Sequence, residues 1–330
     1  MRPNRLLSLT VPGSETAVQE VKRVQRLVGE HGRLGAISRV EHEERRIVEI
    51  VAGYGTDEDV GIPAFLYSGW CLTALPHSRI PDADAWELNN GALTLLVEPG
   101  RRVLPGGGTE FVGVPYGATA RLLLVYLQTQ ALRTGSRRIE LGGSMKAWFD
   151  RLEKTPGGKS YRLVRDQAER IAMAKFSFHS EKAGVRAVRN TVIVEEGLLF
   201  ADDRDARQQT LFREGVVLSE NFFNALKEHA VPLEERALRH IRSSSLAIDA
   251  YAWLAFRLRS LKKPTQIGWA PLHAQFGRGY GQRAAFKRAF RKALKDALAV
   301  YPEAADGGVE ETDSGLLLRQ VRPPILERMA

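Results

Sequence analysis

The residues best suited to bind a ligand are cations on one face of a predicted helix that begins at Gln282. With about 3.6 residues per turn, the apolar residues from Phe286 to Ala297 fall on one side of this helix. The opposite side carries Lys287, Arg288, Arg291, Lys292 and Lys295. Asp296 is the only acidic residue between Gln282 and Val300, so these cations are not paired as on an ordinary solvated helix. Such a face can bind nucleic-acid phosphates, although Lys and Arg also serve helix propensity and solubility.

Polar residues at the start of the same helix are candidates for reading DNA bases. A short helical segment and a glycine-rich turn, Gly277 to Gly281, come before it, which is the arrangement of helix pairs that enter the major groove. Gln282 and Arg283 fall on the first turn, where Gln can pair with adenine and Arg with guanine. Arg278 and the cations further along would hold phosphates. The pattern therefore favours double-stranded DNA as the partner.

A second predicted helix, Lys159 to Ala174, carries a weaker basic face. Its outward cations are Lys159, Arg162, Arg165 and Arg170. Asp166 and Glu169 lie among them, so the face is close in charge to that of an ordinary solvated helix. Two interpretations stay open for this helix: a second contact with DNA, or a role in assembly such as formation of a homodimer.

No sequence motif indicates a catalytic centre, a metal site or a cofactor. The segment Gly157-Gly158-Lys159-Ser160 is similar to the end of a phosphate-binding loop, but Glu153 stands where that loop needs a further glycine. The histidines form no metal-binding motif, and His77, His179 and His273 are interpreted as structural. Ser144 lacks the glycine that a nucleophile elbow requires two residues later. We therefore expect a protein that is not an enzyme and that needs no cofactor.

The charge of the chain is distributed unevenly. Lys and Arg total 48 against 39 Asp and Glu, which gives a formal net charge of +9. Residues 1–110 hold 12 basic and 15 acidic residues, whereas residues 111–330 hold 36 and 24. The basic excess thus lies in the C-terminal two thirds of the chain, where it favours a polyanionic partner.

Cysteine content and hydropathy indicate the compartment. A single cysteine, Cys71, excludes an internal disulfide and a multi-cysteine zinc cluster, and it lies in an apolar run that predicts burial. No apolar stretch approaches the roughly 20 residues that cross a bilayer, and the N-terminus shows no signal-peptide core. We expect a cytoplasmic, unprocessed protein that does not enter a membrane.

Periodicity predicts an N-terminal arm of helices and short strands. Helices are expected at Ser14 to Glu30 and at Ile37 to Val51, and strands at Ile62 to Tyr67 and Ala92 to Glu98. The Pro- and Gly-rich segment from Pro99 to Gly108 is interpreted as a loop and a soft domain boundary.

The order of elements after this loop occurs twice. The first copy has helices at Tyr116 to Arg133, Ser144 to Lys154 and Lys159 to Ala174, with a strand at Arg138 to Leu141. Two alternating runs then predict a hairpin, Lys175 to Phe178 and Thr191 to Val194, around a basic loop with Lys182, Arg186 and Arg189.

The second copy gives the same order. Helices are predicted at Ser243 to Leu261, Trp269 to Phe276 and Gln282 to Tyr301, with extended segments at Gln266-Ile267 and Gly315 to Val321. This order is typical of a winged helix. We predict an α+β protein with tandem winged helices: an arm at 1–110, a first winged helix at 111–215, and a second at 216–330 that is the principal DNA reader.

Several segments resemble plasmid-encoded RepA-type replication initiators. The resemblance is carried by SSLAIDAYAWLAFRL at 244–258, IGWAPLHAQFG at 267–277, FKRAFRKAL at 286–294 and VYP at 300–302. VPYG at 114–117 and LGGS at 141–144 are also similar to that family, so the resemblance covers about residues 62–324. Gly268 departs from the family pattern, in which a small polar residue often caps the short helix.

The resemblance implies an initiator that binds repeated sequences in a plasmid origin, helps to open nearby AT-rich duplex and recruits the host initiator and helicase. A transcriptional repressor of the same architecture, acting on its own promoter, is the alternative that the sequence leaves open. An ATP-dependent or nicking enzyme is disfavoured, because the phosphate-binding loop and the metal-binding histidines are absent from the sequence.

Overall fold

A computed structural model describes residues 15–91, 93–141, 143–152, 158–182, 185–197 and 215–325. Within these residues, helices are combined with antiparallel sheets of two to four strands. The fold class is therefore α+β, as the sequence predicts. Buried apolar side chains from the N-terminal arm to the last strand form one contiguous core.

The arm begins with two helices, α1 (Ala17–Ile37) and α2 (Arg45–Thr56). Thr16 caps α1: its hydroxyl accepts a hydrogen bond from the Gln19 amide, and the Gln19 side chain accepts one from the Thr16 amide. The helix does not stop at Glu30 as expected, but continues through a kink at Gly32, where φ is 66°. Ser14, where the helix was expected to begin, lies outside the described residues. A turn after Ile37 delays α2 to Arg45.

Strands of the arm follow as β1 (Pro63–Tyr67), the short helix α3 (Ser68–Leu72), β2 (Trp86–Asn89) and β3 (Leu93–Glu98). The segment interpreted as a loop is instead a hairpin, β4 (Gly100–Val103) with β5 (Thr109–Gly113). Its turn contains Gly106, Gly107 and Gly108 at φ values of 134°, 95° and 86°, a conformation that only glycine adopts readily. Because β4 is almost wholly exposed, its sequence shows no alternation of apolar and polar residues.

The central helices and strand match the predicted order: α4 (Gly117–Thr134), β6 (Arg138–Glu140), α5 (Gly143–Arg151) and α6 (Gly158–Met173). Gly135 ends α4 in the left-handed conformation, with φ of 63°. Side chains of α4 also bind the edge of β1, since Gln128 accepts a hydrogen bond from the Tyr67 amide at 2.6 Å and Thr129 one from the Phe65 amide at 2.8 Å.

The predicted central hairpin forms, but it belongs to a different sheet. Its strands are β7 (Lys175–Lys182) and β8 (Val185–Val192), and β7 pairs on its other edge with β3 of the arm. The result is a four-stranded sheet in the order β2-β3-β7-β8. Lys182, Arg186 and Arg189 therefore lie in strands and not in the predicted basic loop.

The strands that pair with β6 come from further along the chain. They are β9 (Val194–Gly197) and β10 (Gly215–Leu218), which form a sheet in the order β6-β10-β9. Helix α7 (Glu220–His229), β11 (Ala230–Glu234) and α8 (Glu235–Ile241) follow, and β11 pairs with β1 of the arm.

The C-terminal elements are α9 (Ser245–Ser260), β12 (Thr265–Gly268), α10 (Trp269–Phe276), α11 (Arg283–Ala299), β13 (Val309–Thr312) and β14 (Gly315–Leu318). Three of these strands form a sheet in the order β12-β14-β13. Ser244 caps α9 through a hydrogen bond from the Ala247 amide. Gly315 is required after the tight turn, because a Cβ there would lie 2.0 Å from the carbonyl oxygen of Ile267.

A buried ion pair joins the central and C-terminal elements. Arg121 on α4 donates to both carboxylate oxygens of Asp249 on α9, at 2.6 and 2.7 Å, and the two side chains are 5% and 8% exposed. The Arg121 guanidinium also donates to the carbonyl oxygens of Leu75, Pro76 and Gly117. The pair thus connects α4, the first helix of the central elements, to α9, the first helix of the C-terminal elements, and to the loop that follows α3. We call these two sets of elements the central unit and the C-terminal unit.

Candidate nucleic-acid interface

Helix α11 has the amphipathic character that the sequence predicts. Phe286, Phe290 and Leu294 are fully buried, and the Phe290 ring lies 5.4 Å from that of Phe276 on α10. Gln282 is the N-cap residue, and its side chain makes no capping hydrogen bond. Because the apolar side is fixed against α9 and α10, the cations of α11 are turned outward.

The N-terminal half of α11 presents exposed cations. The side chains of Arg283, Arg288 and Lys292 are exposed, and none of them forms an ion pair with another described residue. Gln282 is exposed beside them. This half of the helix therefore keeps its positive charge available to a partner.

The C-terminal half of α11 is covered by the arm. Lys295 forms an ion pair with Glu20 of α1. Asp296 is 2% exposed and accepts hydrogen bonds from Arg46 of α2 at 2.9 and 3.2 Å. Lys295, which the sequence placed on the DNA-binding face, is thus engaged with the protein itself, because α1 packs along this part of the helix.

Arg291 lies at the border between the two halves. It forms an ion pair with Glu311 on β13, whose second carboxylate oxygen accepts a hydrogen bond from the Ala17 amide at 2.9 Å. The Arg291 side chain is still 42% exposed. One buried carboxylate therefore connects the start of α1, the sheet and the basic helix.

A groove of about 500 Å³ lies between the starts of α10 and α11 and the turn that joins β13 to β14. Its lining is formed by Gly268, Trp269, Ala270, Pro271, Arg283, Ala284, Lys287 and Ser314. Trp269 is buried, with 7% of its surface exposed. Sequence reasoning missed that its ring also faces Lys287, whose Nζ lies 4.6 Å from the ring centroid.

Arg278 extends the basic surface towards the arm. Its guanidinium lies 4.8 Å from the centre of the Trp86 ring on β2, and its side chain is exposed. Arg283 and Lys287 line the groove, whereas Arg278 lies beside Trp86. A cation–π contact of this kind orients a side chain without neutralising its charge.

The candidate DNA-binding residues on α6 differ in how far their side chains are exposed. Arg162 is exposed and Arg165 is partly exposed. Lys159 lies on the first turn of α6, and its side chain lies outside what the structure describes. These positions are compatible with either interpretation of α6.

Arg170 was predicted to contact DNA, and the structure corrects this. The residue is 3% exposed, and its guanidinium donates to Asp166 at 3.0 Å and to Asp82 at 2.9 Å. It also lies 5.3 Å from the Tyr116 ring centre. The helical wheel could not show that the loop around Asp82 covers this position.

We expect Arg170→Ala to lower the free energy of unfolding by roughly 2 kcal/mol, because charge-assisted hydrogen bonds in a buried position are lost. Urea denaturation followed by circular dichroism would measure this change. Binding of the folded variant to duplex DNA should keep the wild-type salt dependence. A reduced salt dependence would instead return Arg170 to the DNA-binding surface.

Two titratable side chains outside the basic surface, those of His77 and Cys71, are partly buried and fully buried, respectively. Burial and the nearby Arg121 lower the pKa of His77, so its neutral ring donates from Nε2 to the Phe276 carbonyl and accepts from the Ser245 hydroxyl at Nδ1. Burial raises the pKa of the Cys71 thiol. Among the described residues, no group of three or more His, Cys, Asp and Glu side chains is placed to hold a metal ion.

Comparison with known protein families gives a match over the central part of the chain. Residues 114–269 match the family model RepA_C, described as plasmid encoded RepA protein. This segment therefore belongs to the RepA family. The resemblance seen in the sequence is thereby confirmed over these residues, and it supports a role in plasmid replication initiation. The matched RepA segment spans α4 to the start of α10 and includes both Arg121 and Asp249.

Solved structures give weaker likenesses. A crystal structure of domains 2 and 3 of RctB, as a selenomethionine derivative, has 11% identity and a TM-score of 0.47, covering 77% of this chain and 99% of the other. A second structure of RctB domains 2–3 has 12% identity and a TM-score of 0.42, covering 68% and 81%. These likenesses are too weak to carry an assignment. No curated protein matches the chain.

In the part of the chain that the structure describes, no helix combines the length and the apolar character needed to span a bilayer.

Proposed function

We propose that the protein is a plasmid replication initiator that binds repeated double-stranded DNA sequences in a replication origin, with the C-terminal unit as the principal reader. The observation that carries the proposal is the set of exposed cations on the N-terminal half of α11 that form no ion pair with another described residue. In a helix-turn-helix, this half of the second helix enters the major groove. The RepA-family match supplies the biological setting.

The arrangement of the C-terminal elements supports assignment as a winged helix. The order α9, β12, α10, α11, β13, β14 and the sheet order β12-β14-β13 are those of a winged helix with a short wing at Asp313-Ser314. The wing, the start of α11 and the start of α10 lie around one groove. A duplex lying along this side would meet α11 and the wing together.

The central elements support a second winged helix. The order α4, β6, α5, α6, β9, β10 and the sheet order β6-β10-β9 repeat the C-terminal pattern, with the β7-β8 hairpin inserted after α6. Its partner is either DNA or a second copy of the chain. Arg162 and Arg165 are the described cations on α6 that remain accessible for this role.

The later steps of initiation would follow from DNA binding. By family resemblance, these are opening of AT-rich duplex and recruitment of the host initiator and helicase in the cytoplasm. We assign the protein no catalytic step and no cofactor, so its contribution would be binding and assembly.

The test is a footprint of the purified protein on its own replicon. Protection of direct repeats near the origin would support initiation, whereas protection of one promoter operator alone would support the repressor alternative. Absence of any specific protection would contradict both functions.

Arg283 is exposed and is the first residue of α11, so in this arrangement its side chain is well placed to reach a base edge. We expect Arg283→Ala to flatten the base preference at one position of the repeat, because a bidentate contact between Arg and guanine contributes roughly 1 to 3 kcal/mol of discrimination. The measurement is the affinity for the protected repeat and for its single-base variants in one buffer.

Arg26→Ala provides the control, because Arg26 is an exposed cation on α1 with no ion pair in the described chain. This variant should keep the whole base preference. If Arg283→Ala weakened every sequence equally, Arg283 would be a phosphate contact and base reading would move to Gln282 or the wing.

A further inference from the structure

Trp269 connects the wing to the basic helix. Its amide donates to the Ser314 carbonyl at 3.0 Å, and its indole Nε1 donates to the Asp313 carbonyl at 3.1 Å. The centre of its ring lies 4.6 Å from Lys287 Nζ and 5.7 Å from the Arg291 guanidinium carbon. The turn and the helix are therefore held at a fixed separation by one side chain.

We infer that the groove beside Trp269 seats one phosphodiester group of the DNA backbone, with Lys287 as its cation and Trp269 as the residue that positions Lys287. This inference rests on the proposed function. Lys287 would then fix the register of the protein on DNA, whereas Arg283 and Gln282 would contact base edges.

The chemistry of the groove lining favours a phosphate over a base edge. Lys287 and the Ser314 hydroxyl offer hydrogen-bond donors, and none of the described residues that line the groove is acidic. A base edge usually presents donors as well as acceptors, whereas phosphate oxygens only accept. The groove is open to solvent on one side, and its volume of about 500 Å³ leaves room for a sugar-phosphate unit.

Trp269 would reduce the cost of binding by holding Lys287 near its bound position. A free lysine side chain loses rotamer entropy when it is fixed. A cation–π contact orients the ammonium group and leaves its charge free for a phosphate. Because Trp269 is itself anchored at two hydrogen-bond donors, its ring is a rigid support for that contact.

The first test compares Lys287→Gln with Lys263→Gln on a duplex of about 30 base pairs. Lys263 is exposed, has no ion pair in the described chain, and lies before β12, at the opposite end of that strand from Gly268. Both changes remove one positive charge. Lys287→Gln should reduce the slope of log affinity against log salt by roughly 0.9, the value for one lost phosphate contact, and Lys263→Gln should leave the slope unchanged.

The second test addresses Trp269. Trp269→Phe keeps a ring face for Lys287 and should retain the wild-type slope, whereas Trp269→Leu should lower the slope by about as much as Lys287→Gln. The double variant Trp269→Leu/Lys287→Gln should show no further loss of slope. A folded Trp269→Leu variant with the wild-type slope would show that Trp269 does not position Lys287. If Trp269→Leu fails to fold, as judged by circular dichroism, the Lys287 comparison still decides the phosphate seat.

The outcomes separate the inference from the function it rests on. A wild-type protein that binds no duplex DNA overturns both. A wild-type protein that binds with a steep salt slope, together with a Lys287→Gln variant of identical slope, overturns the phosphate seat and leaves the DNA-binding function in place.

Discussion

Removing the outward cations of the N-terminal half of α11 is expected to lower the affinity for duplex DNA by roughly a thousandfold at about 0.1 M salt. The variant carries glutamine at Arg283, Lys287, Arg288 and Lys292. Each phosphate contact adds roughly 0.9 to the slope of log affinity against log salt, so losing them all removes most of the electrostatic contribution from this helix. Fluorescence anisotropy of a labelled duplex over a range of salt concentrations measures both quantities.

A matched control removes the same number of charges from other surfaces. Arg26, Arg45, Lys262 and Lys263 are exposed on α1, on α2 and in the turn before β12, without ion pairs in the described chain. Glutamine at these positions should change the affinity by less than about tenfold, through net charge alone. Equal losses in the two variants would mean that overall charge, and not the α11 surface, determines binding.

The helices that form this surface could be predicted from sequence, because their signals are local. Helices α4, α9, α10 and α11 each combine a segment rich in apolar residues with a terminating Gly or Pro or with a capping serine. A local pattern was enough to place the cations of α11 opposite its buried phenylalanines.

The pairing of distant strands could not be predicted in the same way. Strand β7 pairs with β3, which lies about eighty residues earlier in the chain, and nothing in either segment specifies this partner. The β4 strand has no apolar alternation, and β13 is short and carries two glutamates. The sequence accordingly predicted the central hairpin but assigned it to the wrong sheet.

The errors at the candidate site have the same origin. A helical wheel places Arg170 and Lys295 on the outer face of their helices, but Asp82 and Glu20 approach these residues from elements far away in sequence. The contact between Trp269 and Lys287 depends on how α10 crosses α11, so the spacing of Trp269 within its own helix could not show it. Local periodicity identifies a basic face, whereas tertiary packing decides which of its cations remain available.

The buried Arg121–Asp249 pair joins α4 to α9, and its loss should have the largest effect on stability. Asp249→Ala leaves the Arg121 cation buried at 5% exposure, with carbonyl oxygens as its hydrogen-bond acceptors and no opposing charge. Removing one partner of a buried ion pair costs about 3 to 5 kcal/mol. We expect the free energy of unfolding, measured by urea denaturation with circular dichroism, to fall by that amount.

Two further variants show whether the missing charge is the cause. Asp84→Ala removes an exposed carboxylate from the neighbouring loop and should change the free energy of unfolding by less than about 0.5 kcal/mol. Arg121→Met combined with Asp249→Leu removes both charges, so it should recover part of the loss. Recovery should be incomplete, since the carbonyl oxygen of Leu75 loses its Arg121 donor and that of Pro76 keeps only the Gly117 amide. If Asp249→Ala were as stable as Asp84→Ala, apolar packing between α4 and α9 would be enough to hold the two units together.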